Sequence, residues 1–264
     1  MVDKISSQKI SDFLNEDLKD KIIIEVLEKT TSTNTIIRQR ADKSPEGLVV
    51  VAEEQSEGRG RLGRSFFSPG GTGLYISLLL RPEIEPSEAV MITTAAAVAV
   101  CEALEKTGAD TPQIKWVNDV FVKGKKVCGI LTEASLNPES RKLKYAVLGV
   151  GINMYEPEGG FPDEIKNIAG SVFSETRENL RDMVTAYFLN SFMEYYYKLS
   201  QKEFLKKYTE RCFVLGKEIN VICGDCVKSA KALSLDESLG LNVEYDNGEK
   251  AVLSSGEISI RTKA

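Results

Sequence analysis

Two stretches of this sequence carry residues that could do chemistry on an anion. The first is Gly58-Arg59-Gly60-Arg61-Leu62-Gly63-Arg64, three arginines interleaved with glycines. Arginine keeps its charge and grips carboxylates or phosphates with a planar fork, and neighbouring glycines let backbone amides approach the same anion. Such a nest is expected to use the glycines at φ > 0. The second stretch is Lys115-Trp116-Val117-Asn118-Asp119, followed by Lys123, Lys125 and Lys126. Asn118 and Asp119 are oxygen donors suited to Mg²⁺ or to nucleotide groups, but on its own an Asn-Asp pair reads as a β-turn. A weaker third run, Gly149-Val150-Gly151-Ile152-Asn153, fits a bulge or close packing at a strand end.

Other chemistry is excluded by composition. The chain of 264 residues has no histidine, which removes Ser-His-Asp and Cys-His nucleophiles, histidine zinc sites and histidine proton shuttles. Gly58 to Gly63 matches G-x-G-x-x-G letter for letter, but Ser65-Phe66-Phe67-Ser68-Pro69-Gly70-Gly71 cannot open the helix that a dinucleotide fingerprint requires. No P-loop motif is present. Cys223-Gly224-Asp225-Cys226 is half a zinc knuckle without a second half, so it reads as a hairpin with a Gly-Asp turn. The net charge of −5 argues against general nucleic-acid binding. Five cysteines form no even framework and the N-terminus lacks a secretory core, so a reducing, cytoplasmic location is expected.

The elements that must hold these residues follow from periodicity. Ser7 to Leu18 has helical spacing and predicts one short helix. Lys21 to Leu27 is β-rich, and Thr31 to Asn34 offers hydroxyl and amide caps to a helix reaching about Ala41. Strands are expected at Leu48 to Glu53, Gly73 to Leu80, Gln113 to Trp116 and Leu143 to Asn153, with a hairpin over Asp119 to Thr132 turning at Lys123-Gly124-Lys125. Helices are expected at Ser87 to Lys106, Asn179 to Leu199 and Lys202 to Arg211. The apolar core of the first, Ala89 to Cys101, reads as too short and too broken by Thr93 and Thr94 to span a bilayer. Gln55 to Thr72 is a polar functional loop, expected to be mobile and to close when its charges find anions. From Leu215 onward, short strands alternate with turns and predict a small β-barrel of SH3 type. The fold class is α/β (α+β), a mixed sheet flanked by helices, with domains 1–213 and 214–264.

Taken together, Ser32-Thr33-Asn34, Gln55 with GRGRLGR, SPGGTGLYISLLLRP, KWVND, KKVCGILTE and GVGINM resemble the biotin protein ligases over nearly the whole chain. The resemblance implies a class II synthetase-like catalytic domain. It also implies the monofunctional form, because the stretch before Ser32 is too short for a winged helix-turn-helix. Such enzymes join biotin to ATP, giving biotinyl-5′-AMP and pyrophosphate, and then pass biotin to a lysine of a biotin carboxyl carrier protein domain. Biotin and Mg-ATP are substrates, and no tightly bound prosthetic group is implied. Carried onto this chain, Ser32, Thr33, Asn34 and Gln55 would bond the ureido head of biotin. Arg59, Gly60, Arg61 and Lys126 would wrap its carboxylate and the α-phosphate, with Lys126 and Arg61 carrying catalysis. Gly129 and Gly151 would line the biotin channel. Arg64, Phe66, Lys115, Asn118 and Asn153, with Arg61, would bind nucleotide, and Asn118 and Asp119 would meet Mg²⁺. Two positions depart from the pattern: Val117 stands where a proline is usual, and Phe66 where a tryptophan would give adenine a larger surface.

The resemblance predicts no DNA or membrane partner and leaves room for a homodimer. A lipoate or octanoyl ligase is the nearest rival, since it shares the fold and the lysine acceptor, but it should lack the intact GRGRxGR loop. A nucleic-acid-binding regulator is a rival of another class, and the sequence pI of about 5.2 argues against it.

Overall fold

A computed structural model describes residues 3–223, 226–254 and 257–260. The chain opens with two helices rather than one, α1 (Ser7–Phe13) and α2 (Glu16–Lys19), because Leu14 leaves helical backbone at φ −70°, ψ 147°. There follow β1 (Ile23–Thr30), α3 (Thr33–Arg40), β2 (Leu48–Gln55), β3 (Gly73–Leu80), α4 (Val90–Lys106), β4 (Gln113–Lys115), β5 (Asp119–Val122), β6 (Lys125–Leu136), β7 (Leu143–Asn153), α5 (Leu180–Tyr197) and α6 (Phe204–Arg211). Strands β8 (Glu218–Cys223), β9 (Cys226–Leu235), β10 (Leu241–Tyr245), β11 (Lys250–Leu253) and β12 (Glu257–Ile260) complete the chain. The last two of these pair with different strands, β11 with β10 and β12 with β8. The Gly224-Asp225 turn lies outside the described residues; beside it Cys223 and Cys226 oppose one another across β8 and β9.

Strands β1 to β7 form one sheet in the order β1-β2-β3-β7-β6-β5-β4, parallel only between β1 and β2. Alternation assigns each strand two faces. Leu74, Ile76 and Leu78 of β3, Leu148, Val150 and Ile152 of β7, and Cys128 and Ile130 of β6 face a core closed by α4 and α5. Each such fully buried apolar side chain contributes about 1.5–3 kcal/mol, which makes this face the main stabilising layer. The opposite face is covered only in part: α3 lays Ile37 and Ala41 on Leu48, Val50, Leu79 and Val147. Beyond the N-terminus of α3 the sheet is open, and the candidate site occupies that opening.

With its lead-in turn, the α4 segment Pro86–Lys106 is long and apolar enough to cross a membrane, at a mean hydropathy of 1.5. That corrects the sequence expectation on length. In the fold it is a core helix, with Ala95 to Cys101 fully buried. The smaller sheet, β11-β10-β9-β8-β12, is antiparallel throughout. Its inward residues Ile219, Val221, Ala230, Ala232, Leu241 and Val243 join the same core, and Trp116 donates from Nε1 to the Leu239 carbonyl at 2.9 Å.

Candidate active site

One cross-strand row forms the floor of the site. Tyr75 opposes Gly151, Gly151 opposes Gly129, Gly129 opposes Asp119, and Asp119 opposes Lys115, so five strands contribute to a single line. Directly opposed residues share a face, and the glycines lower the middle of the row into a trough. The next row, Ser77-Gly149-Leu131, runs beside it. A Cβ on Gly151 would stand 2.6 Å from the Phe66 ring and one on Gly129 3.2 Å from it, so Phe66 lies directly on this glycine floor. Its ring meets Tyr75 edge-on at 6.4 Å. Burial pushes the Tyr75 phenol well above its ordinary range, and the protonated hydroxyl donates to the Pro69 carbonyl at 2.8 Å.

One end of the trough is polar and uncharged. Ser32, Thr33 and Asn34 are all buried at the start of α3. The sequence assigns capping to these hydroxyls, but Ser32 makes no side-chain cap. Gln55, arriving from β2, supplies it instead: its Oε1 accepts from the Thr33 amide at 2.9 Å and from Thr33 Oγ1 at 3.1 Å. Buried Ser77 reaches Thr33 Oγ1 at 2.7 Å and Asn34 Oδ1 at 2.5 Å. These groups can hold an uncharged polar ligand, because an amide or urea that matches them leaves no buried donor unpaired.

The other end is cationic. The arginine loop folds back on itself: Gly60 N donates to the Arg64 carbonyl at 2.7 Å, Phe66 N to the Gly58 carbonyl at 2.8 Å, and Arg61–Gly63 makes a 3₁₀ turn. No α-helix opens there. The expected φ > 0 glycines are found only in part. Gly63 (75°) and Leu62 (54°) are left-handed, whereas Gly60 sits at −122° and Gly58 has no positive φ. Gly58 is required for space, since a Cβ there would lie 2.3 Å from the Phe66 carbonyl oxygen. Arg61 Nη1 donates to Asn118 Oδ1 at 2.9 Å, and Lys126 Nζ forms an ion pair with Asp119 Oδ1 at 2.8 Å. Arg59, Arg64 and Lys115 line the same pocket.

Of the residues to which the resemblance gives a role in the site, the structure brings together all but one. Asn153 is outside the pocket lining; its Nδ2 donates to the Gly170 carbonyl at 3.1 Å and ties down the segment after β7. Asn118 is also committed elsewhere, with Oδ1 on Arg61 and Nδ2 on the Ile130 carbonyl at 3.0 Å, which leaves Asp119 as the oxygen donor nearest the cations. Among the described residues no group of three acidic or cysteine side chains could hold a resident metal. Lys123 and Lys125 point away, to Asp110 and to the carbonyls of Lys166 and Asn167. Val117 is buried beside a cis Trp116-Val117 peptide, and its carbonyl accepts from Tyr208 at 3.0 Å. Sequence reasoning missed Tyr75, Ser77, Leu131 and Glu133. A serine and a tyrosine alternating with buried leucines in GLYISLLL was the available signal for the first two.

Comparison with known proteins agrees with this geometry. The sequence pattern of the Biotin/lipoate A/B protein ligase family matches residues 26–153. The bifunctional ligase/repressor BirA of Bacillus subtilis is 32% identical over 258 residues, covering 96% of this chain and 78% of that protein. The biotin--[acetyl-CoA-carboxylase] ligase of Mycobacterium tuberculosis is 27% identical, covering 89% and 88%. Among solved structures, the biotin protein ligase of Aquifex aeolicus in complex with biotin and ATP superposes with a TM-score of 0.71 at 30% identity, covering 91% of this chain and 99% of that one.

Proposed function

This chain belongs to the biotin/lipoate A/B protein ligase family, and on that premise we propose that its pocket activates biotin with ATP and transfers it to a lysine of a biotin carboxyl carrier protein domain. The observation that carries the reading is the pocket's division. Ser32, Thr33, Asn34 and Gln55 give one uncharged polar end, while Arg61, Arg64, Lys115 and Lys126 give one cationic end, with a glycine floor between them. Biotin has the same division, a ureido head and a carboxylate joined by an apolar chain. The relative with 30% identity and nearly full coverage is a biotin protein ligase holding biotin and ATP.

In the first step a biotin carboxylate oxygen attacks the α-phosphorus of ATP, the bond to the β-phosphate oxygen breaks, and pyrophosphate leaves. The nucleophile is already ionised at neutral pH, so a site without histidine suffices. The protein's task is alignment and charge neutralisation. Arg61, held by Asn118, and Lys126, held by Asp119, are preorganised donors at the cationic end, and Arg64 and Lys115 supply further charge for the triphosphate. Mg²⁺ enters with ATP as part of the substrate. Asp119, the oxygen donor nearest the cations, would meet that ion, beside an Asn118 whose amide is engaged with Arg61 and the Ile130 carbonyl. In the second step the amine of the acceptor lysine attacks the acyl carbon, AMP leaves and a proton is released. Phe66 on the glycine floor would pack against the apolar part of the adenylate. The division into a catalytic unit, 1–213, and a small SH3-like barrel, 214–264, belongs to the same reading and is supported by the two separate sheets.

Incubation with biotin, Mg-ATP and an isolated carrier domain tests the transfer. Intact-mass spectrometry should show one biotin added per carrier. A carrier that stays unmodified, or is modified equally after its acceptor lysine is changed to arginine, counts against the proposal.

A further inference from the structure

The arginine loop and the uncharged end of the pocket are joined by a closed ring of hydrogen bonds, and Glu133 is a member of that ring to which the proposed reaction gives no role. From the C-terminal end of the loop, the Phe66 carbonyl accepts from Ser68 Oγ at 2.8 Å, and Ser68 Oγ accepts from Gln55 Nε2 at 3.0 Å. Gln55 binds Thr33, and the single hydroxyl proton of Ser77 is shared between Thr33 and Asn34. Asn34 Nδ2 then donates to Glu133 Oε2 at 2.9 Å. The same oxygen takes Arg59 Nη1 at 3.2 Å, and Glu133 Oε1 stands 3.0 Å from Arg59 Nη2, which returns the ring to the loop's N-terminal end. Arg38 is the other cation facing this carboxylate, at 3.7 Å.

Two consequences follow from the chemistry of these groups. An ionised carboxylate only accepts, so Asn34 must turn its amide nitrogen to Glu133 and its oxygen to Ser77. The end of Asn34 that a ligand meets is thereby fixed. The fork of Arg59 is also engaged with one carboxylate, with a hydrogen bond from Nη1 to Oε2 and Nη2 in ion-pair range of Oε1, a charge-assisted contact that holds the arginine in place. Arg59 in this structure is an anchor of the loop, and Arg61 is the arginine that faces Asn118.

We propose that Glu133 is a positioning residue for biotin activation: it sets the orientation of Asn34 and latches the arginine loop through Arg59, so that the loop and the head pocket are coupled. The proposal rests on the reading of the pocket as a biotin site and deepens it.

The test compares the wild-type chain with Glu133→Ala, Glu133→Gln and the double variant Arg59→Ala/Glu133→Ala. Amide hydrogen exchange over residues 58–68 is measured without ligand, and pyrophosphate release is measured as a function of biotin. In Glu133→Ala, exchange in the loop should speed up and KM for biotin should rise, each by about tenfold or more, with kcat changed less. Glu133→Gln keeps an acceptor for Asn34 but loses the charge facing Arg59, so it should keep the fast loop exchange while KM moves back toward wild type. The double variant should exchange no faster than Glu133→Ala. Wild-type exchange over 58–68 in either single variant, or an unchanged biotin KM in Glu133→Ala, overturns the proposal. If Glu133→Ala does not fold, exchange in Glu133→Gln decides alone. If the wild-type chain releases no pyrophosphate with biotin, the reading of the pocket fails, while loop exchange in the ligand-free variants still decides the latch.

Discussion

Replacing Gly149 by alanine should damage the head pocket through a single added methyl. Gly149 has no positive φ, so only space forbids a side chain. Its Cβ would stand 2.2 Å from Asn34 Oδ1, 2.8 Å from Cγ and 2.9 Å from Nδ2. Asn34 would have to withdraw by about 1 Å to restore van der Waals distance. That movement breaks the 2.5 Å contact with Ser77 and the 2.9 Å bond to Glu133, both around buried groups. Overpacking costs about 1–3 kcal/mol and the buried Asn34 amide, parted from Ser77 and Glu133, about 1–3 kcal/mol, so a total near 3 kcal/mol is expected. At roughly 2–4 °C per kcal/mol for a chain of this size, Tm should fall by about 6–12 °C. Calorimetry of four proteins isolates the cause: wild type, Gly149→Ala, Asn34→Ala and the double variant. With Asn34 truncated the methyl has room, so adding Gly149→Ala to Asn34→Ala should cost almost nothing. Additive losses in the double variant would show that the clash with Asn34 is not the mechanism.

The same geometry sets the effect of three further substitutions. Arg61→Ala should lower pyrophosphate formation by about a hundredfold or more at saturating substrates, read by a coupled pyrophosphate assay, because a preorganised donor is lost. Lys126→Ala should produce a similar kinetic loss while changing stability by less than about 1 kcal/mol in thermal melts, since the Lys126-Asp119 pair is partly solvated. Burial pushes the Asp182 carboxyl from its ordinary 3.8 up to about 6, while the Ser6 amide donates to one of its oxygens and the other has no partner. The folded state thus holds this proton more tightly than the unfolded state, and stability from this group is present below pH 4 and lost as pH rises through 6. Asp182→Asn should be more stable than wild type at pH 7 to 8 in denaturant titrations, with the gain vanishing near pH 4.

Much of this was legible in the sequence because the site residues are of types that strands and helices do not otherwise require. Three arginines among glycines and a lysine-rich hairpin announce an anion, and the buried runs of β3 and β7 mark their own bounds. What was not legible depends on partners distant in the chain. Glu133 lies 74 residues from Arg59 and 99 from Asn34, and nothing local distinguishes it from a surface glutamate. Gln55 caps α3 from another strand, a role that sequence assigned to the adjacent hydroxyls. Gly58 and Gly60 matched a nest by spacing, but neither has a positive φ, and only Gly58 is required, for the close approach of the Phe66 carbonyl. Asn153 ends a strand whose last residue turns toward Gly170, a twist that strand periodicity does not record.

On the function proposed above, this pocket joins biotin to the α-phosphate of ATP. Pyrophosphate release by the full chain, with biotin, with lipoate and with neither acid, measures that directly. Biotin should drive release, with biotinyl-5′-AMP recovered by mass spectrometry, and lipoate should give no more than the background without acid. Release that requires lipoate, or release with biotin that no adenylate accompanies, would overturn the assignment.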